Sequence, residues 1–94
     1  VVNFASYNYL DLAGDPAVHA AAADAIARWG TSASASRVAS GERPVHGALE
    51  RELAEFVGVD DALVFLGGHA TNVTTIAHLC GPSDLVACDA LLHN

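Results

Sequence analysis

The sequence predicts an α/β fold in which two helices precede a single βαβ unit, and three observations carry that expectation. Two unbroken apolar runs, ALVFL at 62–66 and LVAC at 85–88, have the length of strands covered on both faces. Between them the Gly67-Gly68 pair breaks the first run and ATNVTTIAHL takes up helical spacing. Gly81-Pro82-Ser83-Asp84 then turns the chain into the second run, and a crossover of this kind is right-handed.

The segments before that unit follow in order. VVNFA at 1–5 predicts a short strand leading into the polar, aromatic SYNYL. Asn8 in that turn suits an Asx turn or a contact to substrate. Asp15 offers an N-cap oxygen and Pro16 stands where a missing N–H costs nothing, so a helix is expected from about 16 to 29. Val18, Ala21, Ala22, Ala25, Ile26 and Trp29 make its apolar stripe, and Gly30 ends it. GTSASASRVASGER has no periodicity and reads as a loop flanked by Arg37 and Arg43. Those guanidiniums suit either a bound carboxylate or phosphate, or a structural role. Pro44 starts a second helix closed by Gly58. Val45, Ala48, Leu49, Leu53, Phe56 and Val57 are expected on its buried face, with Glu50, Arg51 and Glu55 outward.

Composition narrows the chemistry. Ninety-four residues suit one small domain or part of a larger one. The formal net charge of -7 repels phosphate backbones, which argues against a nucleic-acid partner. All the basic residues are Arg, so no amine is present for a Schiff base with an aldehyde cofactor. The chain opens on Val1 without a start Met or leader, as expected of a piece of a longer polypeptide. Residues 62–83 lack charge, but glycines, His69, Asn72, His78 and threonines argue against a membrane span. Cys80 and Cys88 are expected as reduced thiols of a cytoplasmic protein. The five His residues show no H-x-x-x-H spacing and the cysteines no C-x-x-C, so no metal is expected.

Two positions draw attention as sites. Unpaired N–H groups at a helix N-terminus carry partial positive charge, so the Gly67-Gly68-His69 turn suits an anion; a plain tight turn is the alternative. His93 follows the second expected strand, at the carboxyl end where ligands gather in open α/β sheets. Its imidazole there stacks on a ring, shuttles a proton or is an ordinary surface group.

Four segments, in order and covering almost the whole chain, resemble the α-oxoamine synthases. FASYNYL resembles their F-x-S-x-N/D-Y-L-G opening, and WGTSASASRVASGERPVHGALERELAEFVG their polar loop and following helix. ALVFLGGHATNVTTI resembles the A-L-x-F-x-S-G-[aromatic or His]-x-A-N segment, and DLVACDALLHN the D-x-x-x-x-D-x-x-x-H-[AN] segment. GERPVHGALE, GGHATNVTTI and the closing HN look closest to the serine-palmitoyltransferase-like branch, which synthase domains embedded in polyketide assembly lines share.

The resemblance implies an N-terminal-side piece of the large domain of a fold-type I pyridoxal-phosphate (PLP) enzyme, a three-layer αβα structure. It implies a homodimer joining an amino acid to an acyl thioester, on coenzyme A or acyl-carrier protein, with loss of carbon dioxide, to give an α-amino ketone. Residues 1–15 would be the N-terminal strand and turn, 16–58 two helices joined by the polar loop, and 59–94 the start of the PLP-binding sheet. Gly68 and His69 match the cofactor-phosphate site, and His93 the catalytic His that stacks on the cofactor ring. Asn8 and Ser36 match positions near the bound amino acid. Asp11 departs from the family's usual Gly, which suggests a different turn after Leu10. Ala33 and Ala35 stand at small glycine positions, and Gly67 replaces the common Ser. The alternatives are a non-catalytic regulatory or scaffolding subunit of the same fold, and another fold-type I transferase such as an aminotransferase.

Overall fold

Three α-helices form where capping residues and apolar spacing agree. The computed structural model describes residues 2–93, so Val1 of the expected first strand and Asn94 of the closing motif lie outside it. Helix α1 spans Pro16–Trp29. The Asp15 carboxylate accepts from the N–H of Ala17 at 2.8 Å and of Val18 at 3.2 Å, satisfying two of the orphan donors of the first turn. A short 3₁₀ turn, Leu12–Gly14, precedes it, with His19 Nε2 hydrogen-bonded to the Ala13 carbonyl at 2.8 Å. Helix α2 spans Pro44–Val57 and α3 spans Gly68–Leu79. Gly58 ends α2 at a φ of 78°, with its N–H and that of Val59 folded back on the Ala54 carbonyl.

The expected strands do not form. Among the described residues there is no strand at 2–5, 62–66 or 85–88, so the βαβ unit is absent from this chain's structure. Strand backbone needs a neighbour to satisfy its N–H and C=O groups. Near the N-terminus local bonds bend the chain instead: Asn3 Oδ1 accepts the Ala5 N–H and Ser6 Oγ the Asn8 N–H. At 62–66 backbone groups find side-chain partners: the Ala62 N–H donates to Asp61 Oδ1 at 2.9 Å and the Val64 N–H to Glu50 Oε1 at 2.8 Å. Glu50 was expected to face outward; instead it ties α2 to the segment after it.

The apolar faces also differ from expectation. Ala54 is the one buried hydrophobic residue among those described, while Phe56 is 89% and Val57 66% exposed. The α1 stripe is open too, with Val18, Ile26 and Trp29 all exposed. A helix stripe is buried only when a second layer packs on it, and among the described residues no sheet is present to supply one. Cys88, expected within a buried strand, is exposed for the same reason, and both thiols are free.

The polar segment contains local order that periodicity did not predict. Arg37–Gly41 make one wide turn in which the Ser36 carbonyl accepts the Gly41 N–H at 2.8 Å. The chain divides into two compact units, one up to Val45 and one from His46 onward. No helix among the described residues is long and apolar enough to cross a membrane.

Candidate functional site

In the second unit, α3 presents His69, Asn72, Val73, Ile76 and Ala77 along one face, the i, i+3, i+4 spacing of a single helix side. These residues, with Leu92 and His93, line a cavity of about 420 Å³. The last two are carried there by a local turn: Asp89 Oδ1 accepts the Leu91 N–H at 2.7 Å, and the Asp89 carbonyl accepts the Leu92 N–H at 3.1 Å. Two imidazoles therefore border one largely apolar hollow, His69 from the first turn of α3 and His93 from the segment beyond Asp89. Asn72, Val73 and Ile76 join the cavity although their sequence marks them only as helical; their shared helical face is the signal it carries.

The first turn of α3 is uncapped by any side chain. Gly67 precedes it in extended backbone, and its carbonyl receives both the N–H and the hydroxyl of Thr71 at 2.9 Å. A Cβ added at Gly67 or Gly68 would meet nothing within 4 Å, and neither glycine has a positive φ. The fold of this chain thus places no demand for glycine at either position. What the missing side chains provide is open main chain at the positive end of a helix dipole, the form of site that receives a phosphate.

Asn8 and Ser36 belong to the first unit. The Asn8 side chain is engaged locally: Oδ1 accepts the Ala13 N–H at 3.1 Å and Nδ2 donates to Asp11 Oδ1 at 3.1 Å. Asp11 adopts φ 54° and ψ 27°, the left-handed region a glycine would occupy, so its side chain is accommodated within a glycine-like turn. Ser36 precedes the wide turn, and its carbonyl accepts N–H groups from Ala39, Ser40 and Gly41. The two arginines bind within the chain. Arg37 forms a two-pronged pair with Glu42, and Arg43 Nη1 donates to the carbonyls of Ser40 and Glu42, each at 3.1 Å. No cluster of potential metal ligands occurs among the described residues.

Comparison with known proteins decides the family. The family model for aminotransferase class I and II matches residues 1–94. The chain belongs to that family. A Thermosynechococcus vestitus protein is 50% identical over 93 residues, covering 99% of this chain and 24% of its own length; its name assigns 8-amino-7-oxononanoate synthase activity provisionally. The 8-amino-7-oxononanoate synthase of Trichlorobacter lovleyi is 46% identical over 90 residues, 96% of this chain and 23% of its own. That of Geobacter sulfurreducens is 46% identical over 93 residues, 99% of this chain and 24% of its own. The chain thus spans about a quarter of the length of these relatives. They are α-oxoamine synthases, so the resemblance read from the motifs holds, and PLP is the cofactor of the family. Their names do not speak to the serine-palmitoyltransferase-like branch. No solved structure matches the chain.

Proposed function

We propose that this chain contributes one side of the active site of a PLP-dependent decarboxylative acyltransferase. The carrying observation is that His69, at the uncapped N-terminus of α3, and His93 line one cavity. Gly68 and His69 would receive the cofactor phosphate on bare main-chain N–H groups, and His93 would stack on the cofactor ring from the cavity wall. Bound PLP would supply the electron sink that lets an amino acid lose its carboxylate. Over the whole reaction the α-carbon would exchange its carboxylate, lost as carbon dioxide, for the acyl group of a thioester, whose sulfur would leave as the thiol after taking up a proton. The relatives' name fits that outcome, because its amino and oxo groups stand on adjacent carbons, an α-amino ketone.

The chain's own residues do the holding and orienting. Val73, Ile76 and Leu92 would form an apolar wall beside the ring, and His93 would stack on it. Asn8 and Ser36 are assigned to the amino-acid substrate, and the acyl donor is coenzyme A or an acyl-carrier protein. The same reading makes the whole enzyme a cytoplasmic homodimer. No Lys occurs in these residues, so the amine that binds the aldehyde must come from elsewhere in the whole protein.

The test uses the full-length enzyme. Loaded with PLP it should show the cofactor's visible absorbance, altered by the correct amino acid. Replacing His93 by Ala should lower kcat roughly 10²-fold or more while cofactor remains bound, the scale of a lost orienting contact. Unchanged turnover in H93A would remove His93 from the site. A full-length protein that folds but never acquires the band would instead favour the non-catalytic subunit.

A further inference from the structure

We propose that the Arg37–Glu42 ion pair is a positioning device that sets Ser36 toward the amino-acid substrate. The proposal rests on the assignment of Ser36 made above. Ser36 is held by its own carbonyl, which accepts the N–H groups of Ala39 at 3.1 Å, Ser40 at 3.2 Å and Gly41 at 2.8 Å. Closing the turn this tightly leaves no room at its last residue: a Cβ on Gly41 would lie 2.0 Å from the Ala35 carbonyl oxygen and 2.9 Å from that of Ser36. Arg37, the next residue after Ser36, spans the mouth of the turn. Its Nε bonds Glu42 Oε2 and its Nη2 bonds Glu42 Oε1, so both carboxylate oxygens are engaged by one planar fork. Arg43 fastens the other side, donating to the Ser40 carbonyl and, from Nη2, to that of Ala33 at 3.4 Å.

The arrangement orders a loop without burying it. The Arg37 and Glu42 side chains are 33% and 49% exposed, a setting in which an ion pair adds little to stability. Val38, at the crest of the turn, is fully open. What two arginines and a bare α-carbon fix here is therefore geometry, and the residue whose geometry they fix first is Ser36. Substrate-contacting side chains must be held within about 0.5 Å of their working position, which exposed loops achieve only when braced.

In the full-length enzyme, Glu42→Gln keeps the size of the side chain and removes its charge. It should raise KM for the amino acid about tenfold, a fraction of what a ~1 Å misplacement costs, with kcat, KM for the thioester and thermal midpoint little changed. The exchanged pair, Arg37→Glu with Glu42→Arg, should recover most of the loss. In a Ser36→Ala background, Glu42→Gln should add nothing further. A raised KM in S36A with an unaltered one in E42Q would overturn the positioning role alone. An unaltered KM in S36A itself would remove Ser36 from the substrate site and the proposal with it. A lowered thermal midpoint without any change in KM would show that the pair is merely structural.

Discussion

Gly41 stands where a methyl group has no room, 2.0 Å from a main-chain oxygen that cannot rotate away. The Gly41→Ala variant should therefore lose stability at the upper end of the ~1–3 kcal/mol typical of overpacking, measured by denaturant unfolding of the full-length enzyme. Asp11 is the opposite case, a side chain tolerated where glycine is easier. Its φ of 54° is made acceptable by a short carboxylate that receives the Asn8 amide. Asp11→Ala keeps the left-handed geometry but loses that bond, and should cost about 1 kcal/mol in the same measurement. At Gly68 the space is open, so a Cβ offends nothing in this chain. Gly68→Val should leave the fold nearly as stable while weakening PLP retention, read as loss of the cofactor band on dialysis. Undiminished retention would move the phosphate from this turn.

At the scale of elements, the helices begin and end where residue chemistry near each terminus dictates. Asp15 and Pro16 start α1, and Pro44 and Gly58 bracket α2. Asp15→Ala should reduce protection of the first-turn amides of α1 in hydrogen exchange by about 1 kcal/mol, because two N–H groups lose their acceptor. Unlike α1, helix α3 has no side-chain cap, a cost the site explains if a phosphate supplies the missing acceptor. The polar segment looked like plain loop because a wide turn closed on a main-chain carbonyl leaves no apolar period to detect. Its glycine and paired charges were visible as residues, but the ion pair between Arg37 and Glu42 depends on a turn that only the folded backbone reveals.

For the molecule as a whole, Ala54 is the single buried apolar side chain among the described residues, while Leu66, Leu85, Leu91 and Phe4 are almost fully exposed. Hydrophobic burial is the main favourable contribution to cooperative folding, and so little of it cannot offset the entropy of ordering the chain. The 94 residues produced alone should show helical circular dichroism that melts broadly and bind a hydrophobic dye. A sharp, two-state thermal transition with no dye binding would show that the exposed faces find partners within this chain.

Helix boundaries, the 81–84 turn and the family motifs could be read from the residues because each rests on neighbours a few positions away. Asp84 closing on Gly81, for example, requires nothing beyond that tetrapeptide. Strands at 62–66 and 85–88, a covered face on α2 and the pairing of Glu50 with Val64 could not be read in the same way. Hydrogen-bond ladders and buried faces are properties of two segments at once, and apolar sequence records only the need for a partner. The meeting of His69 and His93 around one cavity likewise belongs to the fold: twenty-three residues separate them, and it takes the turn at Asp89 to close that distance.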